Sequence, residues 1–236
     1  MIDRSFIEKI EEMSKPVLET VNNRIYSSQP LHLIKDPEPK SLVVKTLTSL
    51  ADYLNKNPDS LTDLIIHIAS PTKVDIYSSL ETVMMQRYLF LEAFLSNLRA
   101  FLFGQWISVE QFIIAMQSYF VQDEETEKVI RLVGNLTDGK TTNFSDDGVT
   151  QQVTAKAGIA RVENVPVPNP VILAPYRTFL EVDQPKSKFI FRIKSQNDMP
   201  TCALFEADGG AWELEAIKNI KVWLEANLPE GTIILA

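Results

Sequence analysis

Residues 188–194, Lys-Phe-Ile-Phe-Arg-Ile-Lys, restrict the chain more than any other segment. A strict period of two places Lys188, Arg192 and Lys194 on one side of a strand and Phe189, Phe191 and Ile193 on the other. A strand of this kind is stable only with its apolar side covered and its charged side wet. Its neighbours share the pattern. Residues 171–182 and 201–208 flank it across turn-rich segments, Asp183-Gln184-Pro185-Lys186 and Gln196-Asn197-Asp198-Met199-Pro200, which predicts a three-strand antiparallel meander. Counting by twos places Arg177 and Glu181 on the charged side of the first strand, opposite Ile172, Tyr176, Leu180 and Val182. In the third strand Glu206 and Asp208 fall on the charged side, with Ala203 and Phe205 toward the core.

The helices around the meander follow from capping and periodicity. Phe6, Ile7, Ile10, Met13, Val17 and Leu18 predict a helix over 4–21, kinked at Pro16. Short strands are expected over 24–34, and a second helix from Ser41 to Leu54 with a stripe of Val43, Leu47, Leu50 and Leu54. Residues 64–69 and 74–77 read as a hairpin, and 84–94 as a further strand. Ser108 with Gln111 forms a capping box, and Asp123 caps a helix with an acidic first turn. A loop over 137–148 divides the chain into 1–140 and 141–236, unless the two parts form one continuous domain. A strand over 149–162 precedes the meander. The final helix turns Leu214, Ile217, Ile220, Leu224 and Leu228 inward, and Ile233-Ile234-Leu235 is too apolar to dangle. That end pairs with its own sheet or with another subunit. Helices and strands alternate too irregularly for a doubly wound sheet, so the expected class is α+β: mainly antiparallel sheets with helices packed on one side.

Composition excludes whole classes. At 45% hydrophobic residues, 8 Gly and 13 Pro in 236 residues, the chain is neither disordered nor collagen-like. A single cysteine, Cys202, excludes an intramolecular disulfide. Twenty-three Lys and Arg against 31 Asp and Glu give a net charge of −8, which disfavours nucleic-acid binding driven by net charge. No apolar run reaches membrane-spanning length, and Met1-Ile2-Asp3-Arg4 does not open a signal peptide, so no membrane role and a cytoplasmic location are expected.

Catalytic chemistry finds little support. The two histidines, His32 and His67, lie in separate predicted strands and read as satisfied, partly buried side chains. There is no Gly-x-Ser-x-Gly and no phosphate-binding glycine loop, and Cys202 sits in a buried strand. Gly209-Gly210 precedes a helix N-terminus, but Glu206 and Asp208 would repel an anion there. Asp146, Asp147, Glu206 and Asp208 could hold Mg²⁺ or Ca²⁺ if the fold gathers them, which would suit a metal-dependent nuclease. No Glu-x-Lys stands at the spacing that such an enzyme needs, and solvated acids are the plainer reading. The remaining candidate is the charged strand face. Arg177, Lys188 and Arg192, with Phe179 as their aromatic neighbour, could bind a nucleotide or single-stranded nucleic acid. Cross-strand ion pairs on a wet surface explain the same residues.

Three blocks carry a resemblance: residues 146–153, residues 175–185 (Pro-Tyr-Arg-Thr-Phe-Leu-Glu-Val-Asp-Gln-Pro), and residues 204–212 (Leu-Phe-Glu-Ala-Asp-Gly-Gly-Ala-Trp). They are similar to blocks in the YfdQ-like prophage proteins, a phage and prophage group without known function. The resemblance implies a phage-encoded, non-virion protein in the host cytoplasm and carries no catalytic residues or cofactor with it. The first expectation is therefore a non-enzymatic protein that binds a host or phage macromolecule and self-associates through Ile233, Ile234 and Leu235. A nucleotide or single-strand binder comes second, and a Mg-dependent nuclease third.

Overall fold

The computed structural model describes residues 3–22, 24–30, 40–82, 85–96, 100–136, 145–146, 151–156, 162–197 and 199–236. They fall into two compact units, Met1–Pro39 and Lys40–Ala236.

In the first unit helix α1 (Arg4–Ser14) is followed by a hairpin of β1 (Leu18–Val21) and β2 (Arg24–Ser27). The expected kinked helix ends instead, because Pro16 forces Lys15 into extended backbone (φ −75°, ψ 138°) and residues 18–21 leave as a strand. The predicted stripe Phe6, Ile7, Ile10 and Met13 is present but exposed.

The second unit opens with β3 (Leu42–Val44), where the sequence suggested the start of a helix. The helix, α2 (Leu47–Lys56), begins later because the Thr46 side chain, not Ser41, accepts the first free amide, that of Ser49. The hairpin forms as expected from β4 (Leu64–Ser70) and β5 (Lys73–Ser78), and β6 (Leu89–Phe94) realises the second half of the strand expected over 84–94. Next come β7 (Ile107–Ser108), α3 (Val109–Tyr119), capped by Ser108, and α4 (Glu124–Gly134), capped by Asp123. Then β8 (Ser145–Asp146), β9 (Gln151–Lys156) and β10 (Val162–Val167) make a small antiparallel sheet. The chain finishes with β11 (Val171–Leu173), β12 (Ser187–Gln196), β13 (Met199–Glu206), α5 (Ala211–Asn227) and β14 (Ile233–Leu235).

Two larger sheets organise this unit, one in the order β14-β4-β5-β6-β3 and one in the order β11-β12-β13-β7. Each is covered by helices on one face, and the mostly antiparallel pairing makes the fold α+β. Phe112, Met116, Val129 and Val133 of α3 and α4 meet Phe189, Phe191 and Leu204 of the four-stranded sheet. Phe112 stacks on Phe191 at 5.3 Å between ring centroids. Leu47 and Leu50 of α2, with Ile220 and Leu224 of α5, cover Ile66, Ile76 and Leu91 of the five-stranded sheet. The first-turn residue Leu214 of α5 is 74% exposed rather than inward, one turn too early to reach that core.

Both sheets cross the boundary suggested at residue 140. β7 pairs with β13 and β14 pairs with β4, so early and late segments share each layer. The apolar C-terminus takes the first of its two expected options: Ile233, Ile234 and Leu235 run parallel to Ile65, Ile66 and His67 at the sheet edge, with Ile234 turned toward the second core. Deleting residues 232–236 bares the edge of β4 and removes that contact, and Ile234→Ala removes the contact alone. Since Ile234 is half-buried, its truncation is expected to cost about 1–2 kcal/mol, below the ~2–5 kcal/mol of a fully buried Ile→Ala, with the deletion costing more. Urea unfolding of the full chain and both variants measures this.

Candidate functional site

The alternation of β12 holds in three dimensions. Ser187, Phe189, Phe191 and Ile193 are buried, while Lys188 and Ile190 are exposed and Arg192 and Lys194 half-buried on the outer side. Register with β13 carries that side across the sheet: Ile190 opposes Phe205, Arg192 opposes Ala203 and Lys194 opposes Thr201. Phe205 therefore lies among the cations and not in the core, and Leu204 takes the inward place. The sequence count slipped by one because Cys202, Ala203 and Leu204 are all buried, which blurs the period at that point.

Trp106, just before β7, stands on the same side. Its ring lies 6.1 Å from that of Phe205 at 69°, and the Lys194 Nζ sits over it, 4.2 Å from the centroid. Together with Ile190, Arg192 and Gln151 these residues line an open groove of about 510 Å³. Gln151 closes its far edge. β11 pairs with β12 only as far as Phe189, so on the side away from β13 the backbone of Ile193 lies beyond the end of β11. The Gln151 carboxamide substitutes for a strand there: its Oε1 accepts from Ile193 N at 3.0 Å and its Nε2 donates to Ile193 O. No Asp or Glu occupies an outward position in the described parts of β7, β11, β12 or β13. Trp106, Phe205 and Gln151 were missed as site residues. Trp106 precedes a strand of only two residues, where no period can be counted, Gln151 acts through a side-chain contact with residue 193, 42 positions away, and Phe205 was assigned to the wrong side.

Two of the predicted residues leave this face. The strand expected over 171–182 stops at Leu173, before Pro175, and residues 174–186 form an ordered connector. Gln184 organises it with a fully used carboxamide: Oε1 accepts from the amides of Arg177 and Thr178, and Nε2 donates to the carbonyls of Phe179 and Val182. Phe179, far from joining the cations, is fully buried in the second core with Val182. The Glu181 carboxylate accepts from the backbone and hydroxyl of Thr48 in α2.

Arg177 is 6% exposed and lies on the inner side of the four-stranded sheet, opposite Arg192. Its Nη1 donates to Glu206 Oε1 at 2.8 Å and its Nη2 to Ser187 Oγ. The guanidinium carbon lies 4.0 Å from the Trp212 ring centroid and 5.8 Å from that of Phe189. Burial pulls the Arg177 pKa below its ordinary value, and the charges of Glu206, Asp208 and Glu213 oppose that pull. An Arg so flanked stays charged and acts as a structural tie between the connector, the end of β13 and the start of α5.

Two of the carboxylates proposed for a metal, Glu206 and Asp208, have other partners. Glu206 holds Arg177. Asp208 Oδ1 accepts from Gly210 N at 3.1 Å, within the turn that Gly209 (φ 64°) and Gly210 (φ 83°) make possible before α5. Partial burial works against the Asp208 charge, but the Ser187 hydroxyl, the Gly210 amide and Arg177 outweigh it and hold its pKa below 3.8. Asp146 lies in β8 beside β9, and Asp147 lies outside the described residues, as does His32. Among the described residues no three His, Cys, Asp or Glu side chains are grouped to hold a metal ion. His67, expected to be partly buried, is exposed opposite Asp75. Burial pushes the Cys202 thiol up to about 12, which leaves it unreactive at neutral pH. No helix among the described residues is long and apolar enough to cross a membrane.

Two predictions follow from these assignments. Arg177→Met keeps the stem and removes the charge, leaving Glu206 and Ser187 without their donor. The cost should be about 3 kcal/mol, the lower end for a broken buried pair because Glu206 is 45% exposed, with the outer groove unchanged. Chemical denaturation reads it, alongside the near-ultraviolet signal of Trp106. Asp208 has a depressed folded pKa, so its stabilising contribution is complete above pH ~4 and disappears as pH falls through the folded value. Asp208→Asn should flatten the acid limb of the stability–pH curve below pH ~4 and leave its neutral limb parallel to wild type.

Comparison of the chain with protein-family models, with curated proteins and with solved structures finds no match in any of the three.

Proposed function

We propose that this chain is a non-enzymatic protein that binds single-stranded nucleic acid on the outer face of its four-stranded sheet. One observation carries the reading: Trp106 and Phe205 share a groove with Arg192 and Lys194, Lys188 extends the same side of β12, and no Asp or Glu stands outward in the described parts of these strands. Aromatic rings beside cations on an open sheet suit unstacked bases with their phosphates. Lys194 stands six positions after Lys188, about 20 Å along a strand, which is too long for one phosphate group and favours a polynucleotide over a mononucleotide. In the phage setting that the resembling blocks imply, such a protein would work in the host cytoplasm on transiently single-stranded DNA or RNA.

Titration of the full chain with a labelled mixed-sequence oligonucleotide, followed by anisotropy, tests this. Three phosphate contacts at ~0.7 each predict a slope of log K on log salt of about −2. Trp106→Ala should weaken binding about tenfold, within the ~1–3 kcal/mol of a lost base stack. Adenosine monophosphate should bind far more weakly than the oligonucleotide. Absence of oligonucleotide binding at low salt, or affinity indifferent to both Trp106→Ala and Arg192→Ala, overturns the proposal.

A further inference from the structure

The groove already contains a cation on an aromatic ring. Lys194 Nζ stands 4.2 Å from the Trp106 centroid, and both side chains line the same cavity, so the ammonium occupies the place where a base would stack. A base and an ammonium cannot share one ring face. A ligand that stacks on the face of Trp106 beneath Lys194 must first displace the ammonium and give up a cation–π contact. A neutral ring offers the displaced ammonium nothing in return. A nucleotide unit within a strand carries a phosphate next to its base, and the four-carbon Lys194 stem is long enough to swing from the ring to an adjacent oxyanion.

We infer that Lys194 is the specificity-determining residue of the groove, which it keeps closed to uncharged planar compounds and opens to a base that brings its own phosphate. The inference rests on the single-strand reading above and adds a requirement which that reading lacks: removal of one cation must improve the binding of one ligand class while it weakens another. Arg192 and Lys188 have no such double role, since neither is placed over the Trp106 ring. Gln151 supports the arrangement by holding the backbone of Ile193, next to Lys194, at fixed height on the edge of β12.

The test compares wild type, Lys194→Met and Lys194→Ala with two ligands, adenosine and a mixed-sequence single-stranded oligonucleotide, using Trp fluorescence and calorimetry. Met keeps an apolar stem near the ring, Ala opens it, and thermal unfolding checks that both variants are folded. Both variants should bind adenosine about two- to fivefold tighter than wild type, the release of ~0.5–1 kcal/mol. Both should bind the oligonucleotide several-fold weaker, with a salt slope shallower by about 0.7. Unchanged adenosine affinity, or an equal loss for both ligands, overturns the role of Lys194 while leaving the nucleic-acid reading intact. Failure of the wild type to bind the oligonucleotide overturns both.

Discussion

A single buried guanidinium ties together the inner side of the four-stranded sheet. Arg177 enters the inner side from the 174–186 connector, donates to Glu206 and Ser187, and lies against Trp212 at the start of α5. A charge at 6% exposure carries a large desolvation cost, and only well-placed partners and ring faces offset it. Because those partners belong to a connector, two strands and a helix, all must be in place together. The tie also pairs Glu206, an acid that the sequence count had placed on the charged face, with a buried cation on the inner side.

The connector that delivers Arg177 joins two hydrophobic cores. Its Phe179 and Val182 fill the core beneath the five-stranded sheet, whereas Leu173, just before it, belongs to the core beneath the four-stranded sheet. A segment with this duty cannot be a surface strand. Its backbone groups need partners inside the protein, and the Gln184 carboxamide supplies four hydrogen bonds that a sheet would otherwise provide. The same device recurs at Gln151, which completes the edge of β12 where β11 ends. Both amides let irregular chain replace strand by pairing the backbone groups they reach, and the second gives the groove its wall.

The sequence made legible those elements whose period or cap is local. β12, the β4–β5 hairpin, and the helices capped by Ser108 and Asp123 all follow from residues within a few positions of one another. Elements that depend on distant partners were misread. Residues 174–182 look like a strand by hydrophobic content, yet Thr178 donates to the carbonyl of Pro71, 107 residues away, and the connector is shaped by such contacts. The candidate site was half legible for the same reason. Lys188, Arg192 and Lys194 were visible by counting, but their aromatic companions were not, because Phe205 follows three consecutive buried residues and Trp106 precedes a strand of only two.

Net charge is a poor guide to what such a face attracts. At −8 the whole chain repels a polyanion at long range, but fields in physiological salt decay over about 8 Å. On the proposed reading, what a strand of nucleic acid would meet at contact is the local set: Lys188, Arg192 and Lys194 on one side of the sheet, with Asp208 beside Lys188 past the end of β13 and Glu206 on the other side. Of the two acids, Glu206 is paired with Arg177 and Asp208 is engaged with Gly210. On the proposed reading the acidic remainder would act in the opposite sense to the face and discourage nonspecific adhesion of nucleic acid elsewhere on the surface. An acidic protein with one short basic, aromatic face is in this sense better suited to a selective single-strand contact than a uniformly basic one, whose phosphate attraction would not depend on where the bases can stack.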